Sequence, residues 1–566
     1  MKALLPAFAL LALSACATLP STPAPQSGQA VFSNIRLDSQ VPGLAKATKP
    51  QYDNPILPGF YPDPSITRAG DDYYLINSSF AYYPGIPVWK SRDLVNWKQI
   101  GNAIDRPGML DFSGLATSRG VFAPDISYHD GLFYIINTCV DCKGNFVITA
   151  KDPAGPWSDP AWLAFNGIDP SIFWDDDGKS WIVWNDAPEG QPLYEGHRAI
   201  WIQQFDPAKM QVVGEKHVVV NGGVDISKKP VWIEGPHIYK VDGRYYLMAA
   251  EGGTSVNHSE VILSSEKVGG PYVPYAGNPI LTQRDLDPAR PSPVTSAGHA
   301  DLVQTPNGEW HAIFLAVQPY EGDLYNTGRE TFMLPVTWKK DEKGIGWPII
   351  LPHGETIPLA VDLPNLPRQT QEPHYTRYSH HFGYSYDNRT PLNWLQIRTP
   401  KRDFLTVFND ETVGLTALPE AIGDVQSHPA FIGLRQKHVN ADFSTVVNYR
   451  PLTEGDRAGI VALQNDDFYI FYGLAMRDGR AVLEITRRAG PNDPRDGVVI
   501  ATLAAPAGPV RLHVEITGGT ARFTYGPDAK TATVAAESVD VTNLSTAKAG
   551  GFVGTLIGLY ASGKTP

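Results

Sequence analysis

Four side chains capable of acid–base chemistry stand at matched places in a recurring sequence pattern. Asp63, Asp169 and His299 each open one copy of the pattern, and Glu234 lies one residue before that place in another copy. Cleavage of a glycosidic bond needs one carboxylic acid to protonate the leaving oxygen and one carboxylate to act as base or nucleophile. A third carboxyl can adjust the pKa values of the other two, because burial and nearby like charges raise the pKa of a carboxyl group and a neighbouring Arg lowers it. These residue types therefore predict hydrolysis of a glycoside.

The recurring pattern predicts how these distant side chains meet. Each copy has a short acidic or His-bearing element, a hydrophobic strand, a Gly turn and an aromatic strand, and Asp-Gly or Asn-Gly between apolar runs is a strong β-hairpin signal. The spacing between copies leaves room for four-stranded sheets, so we expect a five-bladed β-propeller whose equivalent positions converge on one axis. For any single copy the alternative is a polar cap, since Asp-Pro is a common turn former. The copies begin with residues 63–66, 123–126, 169–172, 235–238 and 299–302.

The chain is predicted to be all-β, with two large domains. At 566 residues it is too long for a single domain. The propeller pattern accounts for residues 51–351, and residues 352–373 are polar and Pro-rich, as expected of a linker. Short alternating strands then resume without a competing helical period, so residues 374–566 are predicted to form a β-sandwich.

The first sixteen residues resemble a bacterial lipoprotein signal. An apolar run follows Lys2 and ends in a Leu-Ser-Ala-Cys box at Cys16. The run is too short to span a bilayer, and the resemblance implies cleavage before Cys16 with lipid on its thiol. Ala17 in place of Asp implies the outer membrane, so the expected location is the cell envelope on the periplasmic side. An ordinary secretory signal with an incidental Cys is the alternative, and residues 17–50, rich in Pro, Ser, Thr and Ala, are predicted to be a flexible tether.

The two remaining cysteines and the net charge limit the partners and reactions that the sequence allows. In an exported protein Cys139 and Cys142 can close a small disulfide, with free thiols as the alternative; a metal would need two more ligands. The formal net charge of -12 argues against a nucleic-acid partner. No P-loop, G-x-S-x-G elbow or H-E-x-x-H motif occurs in the sequence, which removes the usual competing hydrolases and NTPases.

Residues 54 to about 350 resemble glycoside hydrolase family 43. The resemblance implies a five-bladed propeller that hydrolyses with inversion. In the branch resembled here a C-terminal β-sandwich of the concanavalin-like type follows, and the activity is that of a β-xylosidase or an α-L-arabinofuranosidase. The motifs that carry the resemblance are 54–65 (NPILPGFYPDPS), 91–97 (SRDLVNW), 120–125 (GVFAPD), 168–171 (IDPS), 233–237 (IEGPH) and 328–331 (GRET).

The resemblance also assigns roles to the four residues that touch the reacting groups. Asp63 is implied to be the general base that activates water and Glu234 the general acid. Asp169 is the third carboxyl, which orients Glu234 and holds up its pKa. Arg329 is implied to donate to a hydroxyl of the terminal sugar, with a salt bridge between blades as the alternative.

Four further residues are expected around the sugar. Trp89 and Phe122 adjoin matched motifs and are expected to wall the pocket, with plain packing as the alternative. His299 is expected on the axis, and a structural calcium or sodium ion near it is compatible with that position, although hydrolysis requires no cofactor or metal. Phe552 lies in a segment similar to a C-terminal loop that some family members press against the propeller mouth, where it would close the pocket. A place in the sandwich core is the alternative for Phe552.

Together these features predict an exo-acting hydrolase that releases a terminal pentose from xylo- or arabinoxylo-oligosaccharides. β-D-Xylosidase is the leading expectation and α-L-arabinofuranosidase the first alternative. An endo-arabinanase would need an open groove, and a carbohydrate-binding lipoprotein without activity is disfavoured by the intact acid trio. The sequence predicts no oligomeric state.

Overall fold

The computed structural model of the protein describes residues 26–40, 51–369, 377–381, 391–409 and 411–564. The predicted signal segment with Cys16 lies outside these residues. Within them the chain is almost entirely β: the one α-helix is the single turn Thr546–Ala549, and two 3₁₀ turns span Ile226–Lys228 and Thr542–Leu544. No helix in the described ranges has the length and apolar character needed to cross a bilayer.

Each copy of the repeated motif forms the first hairpin of its own antiparallel sheet. A type I′ turn requires positive φ at both central residues. Asp130 and Gly131 have φ values of 48° and 80°, and Asp242 and Gly243 have 51° and 78°. Five such sheets follow one another along the chain, as expected for a five-bladed propeller.

The blades are numbered in chain order. Blade 1 has strands Ser65–Ala69, Asp72–Ile76, Gly85–Ser91 and Lys98–Ile104; blade 2 has Asp125–His129, Leu132–Val140, Gly144–Ala150 and Ala161–Trp162, with Gly120–Val121 added beside Leu132–Val140. Blade 3 has Ile168–Trp174, Ser180–Asp186, Ala199–Asp206 and Gln211–Asn221. Blade 4 has Glu234–Val241, Arg244–Glu251, Ser259–Ser265 and Val273–Pro274, with Leu281–Thr282 added; blade 5 has Thr295–Gln304, Trp310–Val317, Glu330–Lys340 and Gly346–Ile349.

The ring of blades closes where the segment before blade 1 meets blade 5. The backbone N–H of Tyr61 donates to the carbonyl of Arg329 at 3.1 Å. The Thr331 hydroxyl donates to the Tyr61 carbonyl at 2.6 Å. A short two-stranded sheet of Gln51–Asp53 and Ala360–Asp362 reinforces this closure, so part of the predicted linker is built into the propeller.

The second domain is a sandwich of two antiparallel sheets around one apolar core, as predicted. Side chains of both sheets meet in that core, Phe443 and Leu512 from one sheet and Ile460 and Leu559 from the other. The first sheet has the order Leu405–Asn409, Thr412–Thr416, Gln29–Gln40, Asn440–Asn448, Val510–Thr517, Thr520–Gly526 and Thr533–Asp540, with Arg377–His381 also paired to Gln29–Gln40. The second has the order Ala430–Arg435, Leu556–Ser562, Arg457–Asn465, Phe468–Arg477, Arg480–Ala489 and Val498–Ala504.

The predicted flexible tether is wrong for residues 29–40. They form an inner strand of the first sandwich sheet, between Thr412–Thr416 and Asn440–Asn448. Phe32 and Leu37 are fully buried in the core. The alternation of apolar residues that would have revealed the strand is broken by a bulge between Ser33 and Arg36, where an extra residue shifts the pattern by one position.

An apolar seam joins the two domains. Phe60 and Tyr82 of the propeller pack in one cluster with Phe431 and Tyr560 of the sandwich. The short strand Tyr82–Tyr83 also pairs with Gln396–Ile397. The seam therefore reaches the segment that carries Asp63, which follows Phe60 by three residues.

The inner position of the N-terminal strand predicts that Phe32→Ala destabilises the sandwich. Truncation of a fully buried Phe removes its apolar contacts and leaves a cavity, so we expect a loss of about 3–5 kcal/mol in unfolding free energy. Denaturant unfolding of the full chain measures it. Arg36→Ala, an exposed change on the same strand, should lie within about 0.5 kcal/mol of the wild type; equal midpoints for both variants would contradict the buried position.

Candidate active site

β-Bulges at the start of the blades turn the predicted site residues toward the propeller axis. Asp63, Asp169 and His299 have φ values of 49°, 53° and 53°, and Gly235, which follows Glu234, has 56°. The strand pairings of blades 3, 4 and 5 shift register at these places. A left-handed residue in a strand re-aims its side chain, and such bulges are frequent beside active sites.

The structure brings seven of the predicted residues into one cavity of about 290 Å³ at this end of the axis. The three carboxylic acids lie together with one residue of the sandwich, Phe552, and the walls combine charged groups with aromatic rings. The predicted residues that line it are Asp63, Phe122, Asp169, Glu234, His299, Arg329 and Phe552.

Asp63 is held as a carboxylate by donors on both of its oxygens. Arg329 donates from Nη1 to Oδ1 at 2.9 Å and from Nη2 to Oδ2 at 3.4 Å. The Ser78 hydroxyl donates to Oδ2 at 2.6 Å. The Asp63–Arg329 ion pair is almost completely buried. Asp63 is therefore suited to accept a proton.

Glu234 and Asp169, in contrast, tend to keep their protons. Burial and the nearby charge of Asp63 raise the pKa of Glu234 to about 7, although Arg329 and Arg198 oppose this rise. Burial, then the charges of Glu234 and Asp63, raise the pKa of Asp169 well above its usual range. A carboxyl that keeps its proton near neutral pH can act as a general acid, so the site contains one carboxylate and an adjacent proton donor.

His299 lies on the axis as a neutral imidazole. Its Nδ1 is 3.8 Å from Oδ1 of Asp63, and burial lowers the pKa of His299 to about 4. A β-carbon on Gly235 would lie 2.7 Å from Nε2 of His299. Glycine at this position therefore allows the imidazole to stand beside Glu234, in addition to permitting the positive φ.

Three phenylalanine rings form one wall of the cavity. Phe552, from the sandwich, stacks on Phe80 with ring centroids 5.9 Å apart and meets Phe122 edge-on at 5.7 Å. Its backbone N–H donates to the Ser118 hydroxyl at 2.9 Å. The guanidinium of Arg329 lies 5.3 Å from the Phe552 ring centroid, within the range of a cation–π contact. The second domain therefore covers the Asp63–Arg329 pair.

Trp89 does not line the cavity, and the prediction of a sugar contact there is wrong. Its ring is 6% exposed and packs edge-on against Tyr61, with centroids 5.2 Å apart. Trp89 belongs to the third strand of blade 1, away from the axis, and its side chain enters the apolar core between blades.

Several cavity residues escaped the sequence reasoning because they lie in loops or at strand ends that no catalytic motif marks. Trp232 stands two residues before Glu234, and this proximity was the one available signal for it. Arg198 and Asn185 flank the loop between two strands of blade 3, where no motif marks them. The residues not predicted are Phe80, Arg119, Ala123, Val140, Ile168, Asn185, Arg198, Trp232 and Thr254.

Cys139 and Cys142 form a disulfide at the end of a blade 2 strand. The small loop that it closes contributes Val140 to the cavity lining. Asp141 of the same loop pairs with Arg119 at 2.6 Å. The loop is therefore part of the rim of the cavity, a role that the sequence left open.

A second ring of polar groups lies two residues further along the same first strands of the blades. Asp125, His237 and Asp301 are buried, and each offers a ligand atom within 4.8 Å of the others. The Ser65 hydroxyl lies 3.2 Å from Asp125 and 2.9 Å from Asp301, and the Tyr239 hydroxyl donates to Asp301 at 2.7 Å. These contacts connect blades 1, 2, 4 and 5 directly below the cavity.

Comparison with known proteins agrees with this architecture. Residues 52–347 match the model for glycosyl hydrolases family 43, and residues 384–566 match the beta xylosidase C-terminal concanavalin A-like domain. The chain is 38% identical over 522 residues to a xylosidase/arabinosidase of Butyrivibrio fibrisolvens, which covers 91% of this chain and 96% of that protein. It is 36% identical over 518 residues to a non-reducing end alpha-L-arabinofuranosidase of Bacteroides ovatus, covering 90% and 91% of the two chains. Among solved structures, a GH43_12 protein from a capybara gut metagenome superposes with a TM-score of 0.85 at 38% identity, over 96% of this chain and 100% of that one.

The environment of Glu234 predicts the alkaline limit of activity. Since a general acid works only while protonated and the pKa of Glu234 is raised to about 7, kcat/KM for glycoside hydrolysis should fall about tenfold per pH unit above that value. Initial rates across pH 5–9 on a glycoside with a poor leaving group, which needs a proton to depart, measure the profile. Glu234→Gln, with no proton to lose, should give a low rate without that limb; an identical alkaline fall in this variant would assign the limb to another group.

Proposed function

Because the chain belongs to glycosyl hydrolases family 43, it is a glycosidase, and we propose that it releases single pentose units from the ends of xylo- and arabinoxylo-oligosaccharides. A terminal β-linked D-xylose is the unit that we expect to be released. The observation that carries the proposal is the closed form of the cavity: Phe552 from the sandwich stands against Phe122 and Arg329 beside Asp63. A wall at that place suits a chain end, whereas a chain that runs through the site would need an open groove.

The geometry supports a division of roles between the carboxyls. Asp63, charged and held by Arg329 and Ser78, accepts a proton from the attacking water. Glu234, protonated, donates to the glycosidic oxygen as the bond breaks. Burial and the charge of Asp63 raise the pKa of Glu234, and Asp169, whose own pKa is raised by burial and by the charges of Glu234 and Asp63, keeps its proton and adds no second negative charge beside the acid. Direct attack by water inverts the anomeric configuration.

α-L-Arabinofuranose is a second candidate for the released pentose. Two of the relatives bear names that include arabinosidase or arabinofuranosidase activity. β-D-Xylopyranose and α-L-arabinofuranose present similar hydroxyl groups to a pocket of this size. We therefore propose α-L-arabinofuranosidase activity as the alternative, or as a second activity of the same site.

A side-by-side assay tests the proposal. The purified protein is expected to hydrolyse nitrophenyl β-D-xyloside, nitrophenyl α-L-arabinofuranoside or both, and Asp63→Ala should lose activity on each because the attacking water loses its base. Proton NMR should show that a β-xyloside first yields α-xylose. Retained configuration would exclude the roles given above, and absence of activity on both glycosides would exclude the pentosidase.

We also propose that the protein is a lipoprotein of the cell envelope, anchored through Cys16. The Leu-Ser-Ala-Cys box supports this, although it lies outside the described residues. Cys16→Ser should move the protein from the membrane fraction to the soluble fraction and leave its activity unchanged, since acyl chains on this Cys supply the anchor. Wild-type protein found wholly in the soluble fraction would exclude the anchor.

We propose that catalysis by the carboxyl pair requires no cofactor. We also propose that the propeller axis binds a calcium or sodium ion, which stabilises the fold. Both oxygens of Asp63 beside His299 already accept hydrogen bonds from Arg329 and Ser78. Deeper on the axis, Asp125, His237 and Asp301 each offer a ligand atom within 4.8 Å of the others. Nδ1 of His237 lies 3.6 and 3.8 Å from the nearest carboxylate oxygens, too far for direct hydrogen bonds, which leaves these atoms as the candidate ligands.

Calcium should therefore raise the thermal unfolding midpoint of chelator-treated protein. Ligand at a hundredfold its Kd stabilises by about 2.7 kcal/mol. Differential scanning fluorimetry with added calcium, sodium or chelator measures the shift. Asp301→Asn should reduce it, and a midpoint unaffected by every ion would contradict an axial ion site.

A further inference from the structure

One side of the cavity mouth bears a cluster of exposed apolar side chains that the proposed roles leave unused. The loops at 187–198, 222–233 and 252–258 meet there: the Trp232 N–H donates to the Gly196 carbonyl at 3.1 Å, and the Gly252 N–H donates to Val231 at 2.9 Å. A contiguous exposed apolar patch beside a cavity commonly marks a binding surface. Its large members are Leu193, Val231, Trp232 and Val256, exposed by 71%, 40%, 39% and 50%.

Trp232 is the member of this patch that enters the cavity lining. Its φ of 40° is unusual for a large aromatic residue, and such strain persists where surrounding contacts enforce it, often at ligand sites. Here the hydrogen bond to Gly196 enforces it. An indole ring that is held in this way and left partly exposed offers a flat face to a sugar ring.

Arg198 supplies a free cation on the same side. It lines the cavity and is half-buried, yet its guanidinium forms no hydrogen bond or ion pair with any residue that the structure describes. By contrast, Arg119 is paired with Asp141 and Arg329 with Asp63. A half-buried guanidinium has lost part of its water, so its five N–H donors favour a ligand rich in oxygen acceptors.

The position of Glu234 determines which part of the substrate can contact Arg198 and Trp232. It donates its proton to the oxygen that leaves, so the departing sugar must lie on its side of the cavity. Trp232 is two residues before Glu234, and both Trp232 and Arg198 line the cavity that holds Glu234. Asp63, Arg329 and Phe552 form a separate contact group in this cavity, and we assign to that group the sugar that is released.

Resting on the proposed function, we propose that Arg198 and Trp232 form the subsite for the first sugar of the leaving group, where Trp232 stacks on the pyranose face and Arg198 donates to its hydroxyls. The subsite favours an oligosaccharide leaving group over an aryl one. It thereby sets the preference of the enzyme for natural substrates without taking part in bond cleavage.

Kinetics on two leaving groups test this subsite. The wild type and variants are assayed on nitrophenyl β-xyloside and xylobiose, or on the arabinofuranoside and an arabinosylated xylotriose if arabinose is preferred. Arg198→Ala should lower kcat/KM on the oligosaccharide by about tenfold to a hundredfold, because it removes charge-assisted hydrogen bonds. The loss on the nitrophenyl substrate should be several-fold smaller. Arg198→Lys should recover part of the oligosaccharide activity.

Trp232→Ala should lower kcat/KM on the oligosaccharide by about threefold to tenfold, and Trp232→Phe should lower it less because a ring face remains. Lys228→Ala is the matched control: it removes an exposed cation from the loop at 222–233, and Lys228 itself does not line the cavity. It should change neither activity.

Thermal midpoints equal to that of the wild type show that the variants are folded. Equal losses on both substrates in Arg198→Ala, or none on the oligosaccharide, would overturn the subsite. Failure of the proposed function would give a different result from failure of the subsite, because the wild type would then hydrolyse neither nitrophenyl pentoside.

Discussion

The ion pair between Asp63 and Arg329 is the contact on which the site depends. Asp63 belongs to the start of blade 1 and Arg329 to blade 5, so the pair lies where the first and last blades close the ring. Removal of one partner from a buried pair costs about 3–5 kcal/mol, because the other charge is left without compensation. Arg329 therefore has two roles. It compensates the charge of the proposed base, Asp63, and it joins blade 5 to the segment before blade 1.

The pair also explains why three carboxyl groups can share one small cavity. One guanidinium compensates one carboxylate, and Asp63 holds it through two hydrogen bonds. Neither Glu234 nor Asp169 forms such an ion pair with any residue that the structure describes, so burial and the charge of Asp63 favour their protonated forms. The unequal sharing of one cation separates a base from an acid among residues of the same chemical type.

The sequence was sufficient for features that repeat and insufficient for features that do not. Five hairpins with the same turn signal predicted the blades, and matched positions within them predicted Asp63, Asp169, Glu234 and His299 as neighbours. Trp89 was misplaced because proximity to a motif says nothing about which way a strand faces. Arg198 and Trp232 lie in loops, whose paths depend on contacts such as that of Trp232 with Gly196 and leave no periodic signal.

The sandwich completes the cavity and cannot be regarded as an accessory. Its Thr555 donates to the carbonyl of Asn326 at 2.8 Å, and a β-carbon on Gly328 would lie 2.9 Å from Cα of Gly554. Glycine on both sides therefore allows the two backbones to touch, one residue before Arg329 and two residues after Phe552. The same close approach sets the guanidinium that holds Asp63 and the ring that covers it. A propeller alone would keep its three carboxyls on the axis but would lose the wall that closes the cavity and the support that positions their cation.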